Sequence, residues 1–405
     1  MSELAQYPVA PRGVSAGLPA TALTRSFRDV LEWGTYAFLL AVHLSDEIGL
    51  PEAPAVLLAL GVAIAIRPVA ILHVLKRPAY LLLLLLPLLS AVYASTAHIR
   101  NWISLLQFAV GITAGFVLYD FARAHGSAFA ATPSGRRVMW VILLTSVVSL
   151  GTDLGSVSAA RLLLVLATGY LASTSRTRDA ALTAVVLGVF GAAVGNSKAL
   201  YAAVFFALVV SLVMRARRGH AWRSFINASL TTLVAAGVIV GTVAVLSPSR
   251  IHDVVAPEDS VSTLARASTA LAGLRATQDH PVLGLGPAGV NIVENFDQYY
   301  SDELLASLVV SGKTHSHAES YGEGYTSGTH NMYLDLSSSY GLPLTLLIVA
   351  GLWRGVFKAR KAGRPLILFA GLSIAVHGMA WQYSVNAVGV MFIGLLMAEG
   401  WTRRS

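Results

Sequence analysis

Apolar residues in this chain come in runs of about membrane length, separated by short and mostly basic connectors. The runs fall at 31–49, 53–74, 78–96, 103–122, 138–153, 157–174, 180–196, 198–214, 226–247, 332–353, 365–382 and 385–401. Each is apolar on all sides, whereas a helix buried in a soluble protein shows one apolar face. About 20 such residues carry an α-helix across a bilayer. The pattern predicts an all-α polytopic membrane protein with about 12 transmembrane helices. Two divisions rest on short breaks: Gly151-Thr152-Asp153 must turn the chain tightly, and a brief polar stretch separates the last two runs. No repeat of solenoid period is present.

Residues 248–331 are the one long polar interruption, and they lie between the ninth and tenth runs. This loop holds five of the 11 histidines (His252, His280, His315, His317 and His330) and ten carboxylates. Against the carboxylates stand four cations: Arg250, Arg266, Arg275 and Lys313. Within 260–280, Leu264, Leu271, Leu274 and the alanines between them recur at helical spacing, which predicts an amphipathic helix. Arg266 and Arg275 sit nine positions apart on it, about two and a half turns, and do not share one face closely. His280-Pro281-Val282-Leu283-Gly284-Leu285-Gly286-Pro287 then ends the helix. Its glycines lack the preceding strand and following lysine of a nucleotide-binding loop.

Residues 311–329 are polar and glycine-rich and run into His330. A loop of this length is more often functional than ornamental. His315-x-His317-x-Glu319 shares a face only in an extended segment, so chelation of a metal there stays open. His330 stands where the loop re-enters the membrane, beside Asn331. A neutral imidazole at such a boundary is able to act as a base; a helix-capping or interfacial histidine is the alternative.

Composition sharpens this picture. The chain is 55% hydrophobic and 12% charged, with a mean hydropathy of +0.65; soluble domains carry about twice that charge. Cysteine is absent, which removes disulfides, thiol nucleophiles and thiolate metal sites, and suits a loop in an oxidising space. A net charge of +8 suggests nucleic acid in a soluble protein. Here the basic residues sit in connectors, and orientation in the membrane accounts for them. With the N-terminus inside, 21 of the 29 Lys and Arg residues fall in cytoplasmic segments.

Both termini then face the cytoplasm and the loop faces the periplasm. The expected divisions are a cytoplasmic tail at 1–30, helices over 31–247, the periplasmic loop at 248–331, helices over 332–401 and a cytoplasmic tail at 402–405. No cleavable signal pattern precedes the first run, which is expected to act as an uncleaved anchor. Among the remaining cations, Arg67 lies deep in the second run before Pro68, and Arg161 and Lys198 stand at the outer starts of helices. Cations clustered there would form an anion site suited to phosphate.

Three places in the chain resemble the O-antigen ligase and polymerase superfamily of bacterial envelope glycosyltransferases. One is His330-Asn331-Met332-Tyr333-Leu334 followed by Tyr340-Gly341-Leu342-Pro343. The second is Arg266 ahead of Pro281-Val282-Leu283-Gly284-Leu285-Gly286, and the third is Ser197-Lys198-Ala199-Leu200, with Lys where the family has Arg. The layout of twelve helices with a large loop between the ninth and tenth agrees as well.

The resemblance implies a GT-C-like, metal-independent, inverting transferase without cofactor in the bacterial inner membrane. It would move a glycan from undecaprenyl diphosphate onto the lipid A-core oligosaccharide, as an O-antigen ligase does. By position, His330 matches the essential histidine, and Arg266 and Lys198 match basic diphosphate-binding positions. Arg161 is a looser match, and Arg275 stands where the family varies. Lysine at 198 keeps the charge but loses bidentate phosphate geometry.

The first rival is a polymerase of O-antigen or exopolysaccharide repeats using the same donor. Polymerases often carry two large outer loops, and this chain has one. A protein O-oligosaccharyltransferase would also share the donor. A transporter or flippase expects broken helices with polar groups at mid-membrane, for which Arg67-Pro68 is the available feature.

Overall fold

The computed structural model describes residues 25–45, 53–66, 68–94, 99–123, 129, 132–152, 157–174, 198–216, 261–291, 298–299, 331–379 and 387–401. They form helices α1 (Arg25–Ser45), α2 (Ala53–Ile66), α3 (Val69–Leu75), α4 (Pro78–Tyr93), α5 (Ile99–Phe121) and α6 (Pro133–Thr152). After these come α7 (Val157–Thr174), α8 (Lys198–Ala216), α9 (Val261–Asp279), α10 (Met332–Lys361), α11 (Pro365–His377) and α12 (Ala387–Trp401). A short 3-10 turn covers Gly289–Asn291. No strand occurs among the described residues.

Ten of the twelve apolar runs thus coincide with helical segments, and α9 is the helix expected inside the loop. The run at 53–74 is two helices, α2 and α3, divided before Pro68, because proline lacks the amide proton a continuous helix needs. The runs at 180–196 and 226–247, Arg67, and most of the loop, including His315, His317 and Glu319, lie outside the described residues.

Glycines set the closest helix contacts. Gly111 and Gly115 of α5 lie against Val390, the Met391 carbonyl and the Leu395 amide of α12, and Gly394 lies against Ile112. Positions rise together in these pairs, so α5 and α12 run parallel. Gly351 and Gly355 of α10 rest on Leu396, Met397 and Trp401 of α12. Small residues admit such approach, and packing rather than the hydrophobic effect drives association in lipid.

Phe27 of α1 meets Phe121 at the end of α5, with ring centroids 6.1 Å apart. The same end of the bundle gathers the ion pairs Arg77–Asp120 at 2.6 Å, Arg137–Glu32 at 3.0 Å and Arg364–Glu399. Arg77 also lies over the rings of Phe116 and Tyr119. This is the basic end that the charge count predicts for one side of the membrane; the opposite end carries the long loop.

Large apolar side chains cover the outside of the bundle, including Trp33 at 72%, Leu106 at 65% and Leu346 at 64% exposure. So wide an apolar surface needs a partner, and for a bundle of apolar helices the partner is lipid. Among the described residues, Asn101–Phe121 and Met332–Lys361 are long and apolar enough to cross a membrane by themselves. Five shorter apolar helices accompany them.

Candidate functional site

Helix α10 is interrupted one-third of the way along. Gly341 has φ 81° and ψ 171°, outside any helical region, and Pro343 supplies no amide proton. The interruption takes the Leu342 amide from the Ser338 carbonyl, and Pro343 has no N–H to give the Ser339 carbonyl. The turn after α9 replaces both. Leu285 N–H donates to the Ser338 carbonyl at 2.7 Å, and Gly286 N–H donates to the Ser339 carbonyl at 3.1 Å. Leu342 N–H turns instead to the Pro281 carbonyl at 2.8 Å. Every backbone group released by the break therefore has a partner, as buried backbone requires.

The fit needs glycine on both sides. A Cβ on Gly341 would strike the Val282 carbonyl, and one on Gly284, whose φ is +68°, would strike the Ser339 backbone. Two motifs some 55 positions apart in the chain are thus one interlocked seam. Ser90 at the end of α4 adds a bond from its hydroxyl to the Ser339 carbonyl at 2.8 Å. Asn101 at the start of α5 accepts from Ala288 N–H at 2.8 Å.

Helix α9 lies over this seam on its small residues. Thr269, Ala272, Gly273, Ala276 and Thr277 are buried, and the Thr277 hydroxyl is 2.8 Å from that of Ser337. Of the residues expected to make the apolar face, the alanines Ala272 and Ala276 are buried, Leu271 is half-buried and Leu274 is exposed. Close approach to α10 selects small side chains, so the seated face is the alanine and threonine face. Ala272 and Ala276 close a small second core with Val290 and Tyr299. Burial, and the neighbouring Asp279 carboxylate, push the Tyr299 hydroxyl above its ordinary range.

The start of α10 is tied to the end of α11. The Asn331 side chain caps α10 by accepting from Tyr333 N–H and Leu334 N–H at 2.9 and 3.2 Å. It also donates to the Met379 carbonyl at 3.0 Å, while Met332 N–H donates to the Gly378 carbonyl at 2.8 Å. The Tyr333 hydroxyl reaches the Ala375 carbonyl at 2.7 Å. His330 is outside the described residues; its neighbour Asn331 is held by these bonds.

Of the expected cations, Arg161 is buried at 7% exposure near the start of α7. Lys198 opens helix α8, which meets α7 where the Ser211 hydroxyl donates to the Gly169 carbonyl at 2.9 Å. Arg161 stands at the loop end of the bundle, and α7 and α8 pack together and against α11. Arg266 lies in the first half of α9; the described side chains do not include those of Arg266 and Lys198. Arg275 is on the exposed face of α9 and donates to the Tyr299 carbonyl at 3.4 Å, so the structure does not bring it to Arg161.

Two buried ionisable residues at this end escape the sequence reading: Asp335, 1% exposed in the first turn of α10, and His377, 1% exposed in the last turn of α11. Their signal was present, because ionisable side chains inside apolar helices are costly and usually functional. The loop's abundance of acids and histidines drew attention away from them. An apolar cleft of about 200 Å³ lined by Leu31, Phe38, Val62 and Phe121 reaches toward the basic end and does not include these residues.

Chemically, the loop end combines a buried guanidinium, a buried carboxylate, a buried imidazole and Asn331, the neighbour of His330 in the chain. A family model described as O-antigen ligase matches residues 183–349. That stretch includes Lys198, Arg266, Arg275, His330 and both halves of the seam, while Arg161 and His377 lie outside it. The comparison with curated proteins returned no match.

Proposed function

We propose that this chain, a member of the O-antigen ligase superfamily through residues 183–349, transfers a glycan from undecaprenyl diphosphate to the lipid A-core oligosaccharide at the periplasmic face of the inner membrane. Members of the family are glycosyltransferase-like enzymes of the membrane, ligases or polymerases. The observation that supports the reading is buried Arg161 at the end of the bundle where Asn331, the residue after His330 in the chain, ties the start of α10 to the end of α11.

In this reading the diphosphate is the leaving group. Arg161 and Lys198, with Arg266 from α9, stabilise the charge that grows on it as the anomeric bond breaks. Preorganised cations in a site shielded from water do this well. Arg275 would help only by leaving its bond to the Tyr299 carbonyl. Neutral His330 removes the proton from the acceptor hydroxyl as it attacks. One direct displacement inverts the anomeric carbon, and no metal or cofactor takes part.

Replacing Arg161 with alanine is expected to cut transfer at least tenfold; initial rates of glycan transfer by purified protein of unchanged thermal midpoint measure it. The function itself is tested by mixing purified enzyme, lipid-linked donor and purified core lipid, with and without chelator. Core-attached product that persists in chelator supports the reading; absence of product, or dependence on added metal, overturns it. A polymerase would instead extend the lipid-linked donor, and a strain lacking it would show core lipid capped by a single repeat.

A further inference from the structure

We infer that Thr277 and Ser337 are positioning residues for Arg266: their buried hydroxyl bond fixes how far, and at what rotation, α9 carries that cation past the start of α10. The inference rests on the function proposed above. Thr277 and Ser337 are 7% and 4% exposed, and their hydroxyls stand 2.8 Å apart. Each hydroxyl also reaches a carbonyl of its own helix, Thr277 that of Gly273 at 2.8 Å and Ser337 that of Leu334 at 3.1 Å. Two oxygens so close hold a proton between them, and the second proton goes to one of the two carbonyls. The rest of the seated face is smooth. Ala272, Gly273 and Ala276 let α9 approach α10 closely, but side chains this small make shallow ridges and leave sliding and rotation cheap. A directional bond between the two helices removes that freedom.

The place of position 266 follows from the same bond. It precedes Thr277 by 11 positions, about three turns, and so returns to the same face of α9 within about 20°. Thr269 and Gly273, between them on that face, are buried. Arg275, nine positions after 266, falls about half a turn round the helix and is exposed. From Thr277 to Pro281 the chain advances four residues, while their partners on α10 advance five, from Ser337 to Leu342. The two helices therefore run in the same direction. Counting back from the bond, α10 begins at Met332, about 7 Å away, whereas position 266 stands about 16 Å away. Position 266 thus lies beyond the start of α10, on the face of α9 turned toward it. A shift of α9 by one residue would move this position by about 1.5 Å and turn it by about 100°.

The test uses the full-length protein in detergent, with KM for the lipid-linked donor, kcat and the thermal midpoint measured for single and double variants. Thr277→Val keeps the shape and removes the hydroxyl, and the Ser337 hydroxyl retains the Leu334 carbonyl. It is expected to raise donor KM by about three- to tenfold, the span of one buried hydrogen bond, with a smaller change in kcat. Thr277→Ser should restore most of the loss. Arg266→Ala should raise donor KM further, and in that background Thr277→Val should add nothing, because residues acting through one another depart from additivity. Independent effects of the two substitutions, or an unchanged KM in Thr277→Val beside a raised one in Arg266→Ala, overturn the inference and leave the function standing. A thermal midpoint lowered equally by Val and Ser at 277, with kcat falling and KM unchanged, assigns the pair to packing and also overturns it. Unchanged KM in Arg266→Ala removes Arg266 from the donor site and the inference with it. Absence of transfer by the unaltered protein overturns both the inference and the function.

Discussion

Replacing His330 with alanine is expected to lower glycan transfer by about 10²- to 10⁴-fold, the usual contribution of a positioned general base. Folding should be unaffected, because the first turn of α10 is capped by Asn331 and tied to the Gly378 and Met379 carbonyls independently of the preceding side chain. Initial rates at saturating donor, alongside the thermal midpoint, measure the effect. His330→Gln separates two roles: glutamine donates and accepts hydrogen bonds but does not take up a proton. If the glutamine variant is as inactive as alanine, His330 moves a proton. Recovery with glutamine reduces it to a hydrogen-bonding group, and near-normal transfer by the alanine variant removes it from the site.

Gly341→Ala is expected to destabilise the protein and to lose transfer with it. The φ and ψ at this position, 81° and 171°, lie in a region populated almost only by glycine, and holding another residue there costs about 1–3 kcal/mol. The added methyl also meets the Val282 carbonyl and the Leu283 amide, so the turn of 281–287 must lift from α10. Lifting it takes the Leu285 amide from the Ser338 carbonyl, a buried acceptor worth about 1–3 kcal/mol when left without a partner, and leaves the Ser339 carbonyl with the Ser90 hydroxyl. A thermal midpoint in detergent several degrees below that of the unaltered protein is the readout. Gly363→Ala is the control: its φ is +67°, but nothing lies within 4 Å of the added methyl, and only the backbone strain remains. Equal midpoints for the two variants would show that the seam does not hold the site together.

Much of the fold is legible because lipid imposes a one-dimensional rule: a crossing helix must be apolar throughout and about 20 residues long. The runs that became α1, α4–α8 and α10–α12 are helical, α5 and α10 also meet the length and apolarity of a crossing helix, and α6 ends at Thr152. The split at Arg67-Pro68 was visible as a proline, but a hydropathy pattern does not say whether a proline bends a helix or divides it. Helix α9 is legible as a helix, and of its expected apolar residues the alanines are buried while Leu274 is exposed. Leucine is the better indicator of burial in water, where area removed from solvent sets the gain. Against the α10 backbone, the distance of approach decides instead, and Thr277 and Ala276 win over Leu274.

The candidate site divides in the same way. Arg161 and Lys198 stand out by type and position, because cations beside apolar runs are expensive, and the roles of His330, Arg266 and Lys198 rest also on the resemblance. Asp335 and His377 carry the same signal and were passed over, since each lies inside a helix that otherwise reads as apolar or small.

By itself, the sequence determined the class of protein, the segments that are helical, the charge asymmetry between the two ends and the resemblance of three separated motifs to one family. These follow from composition and local pattern, which act residue by residue. Only the tertiary structure decided that Pro281–Gly286 and Ser338–Leu342 form a single seam, that Asn331 is anchored on the end of α11, and that Arg161 and His377 are buried. Those relations depend on hydrogen bonds and close contacts between residues far apart in the chain, and nothing in the local pattern encodes which carbonyl meets which amide.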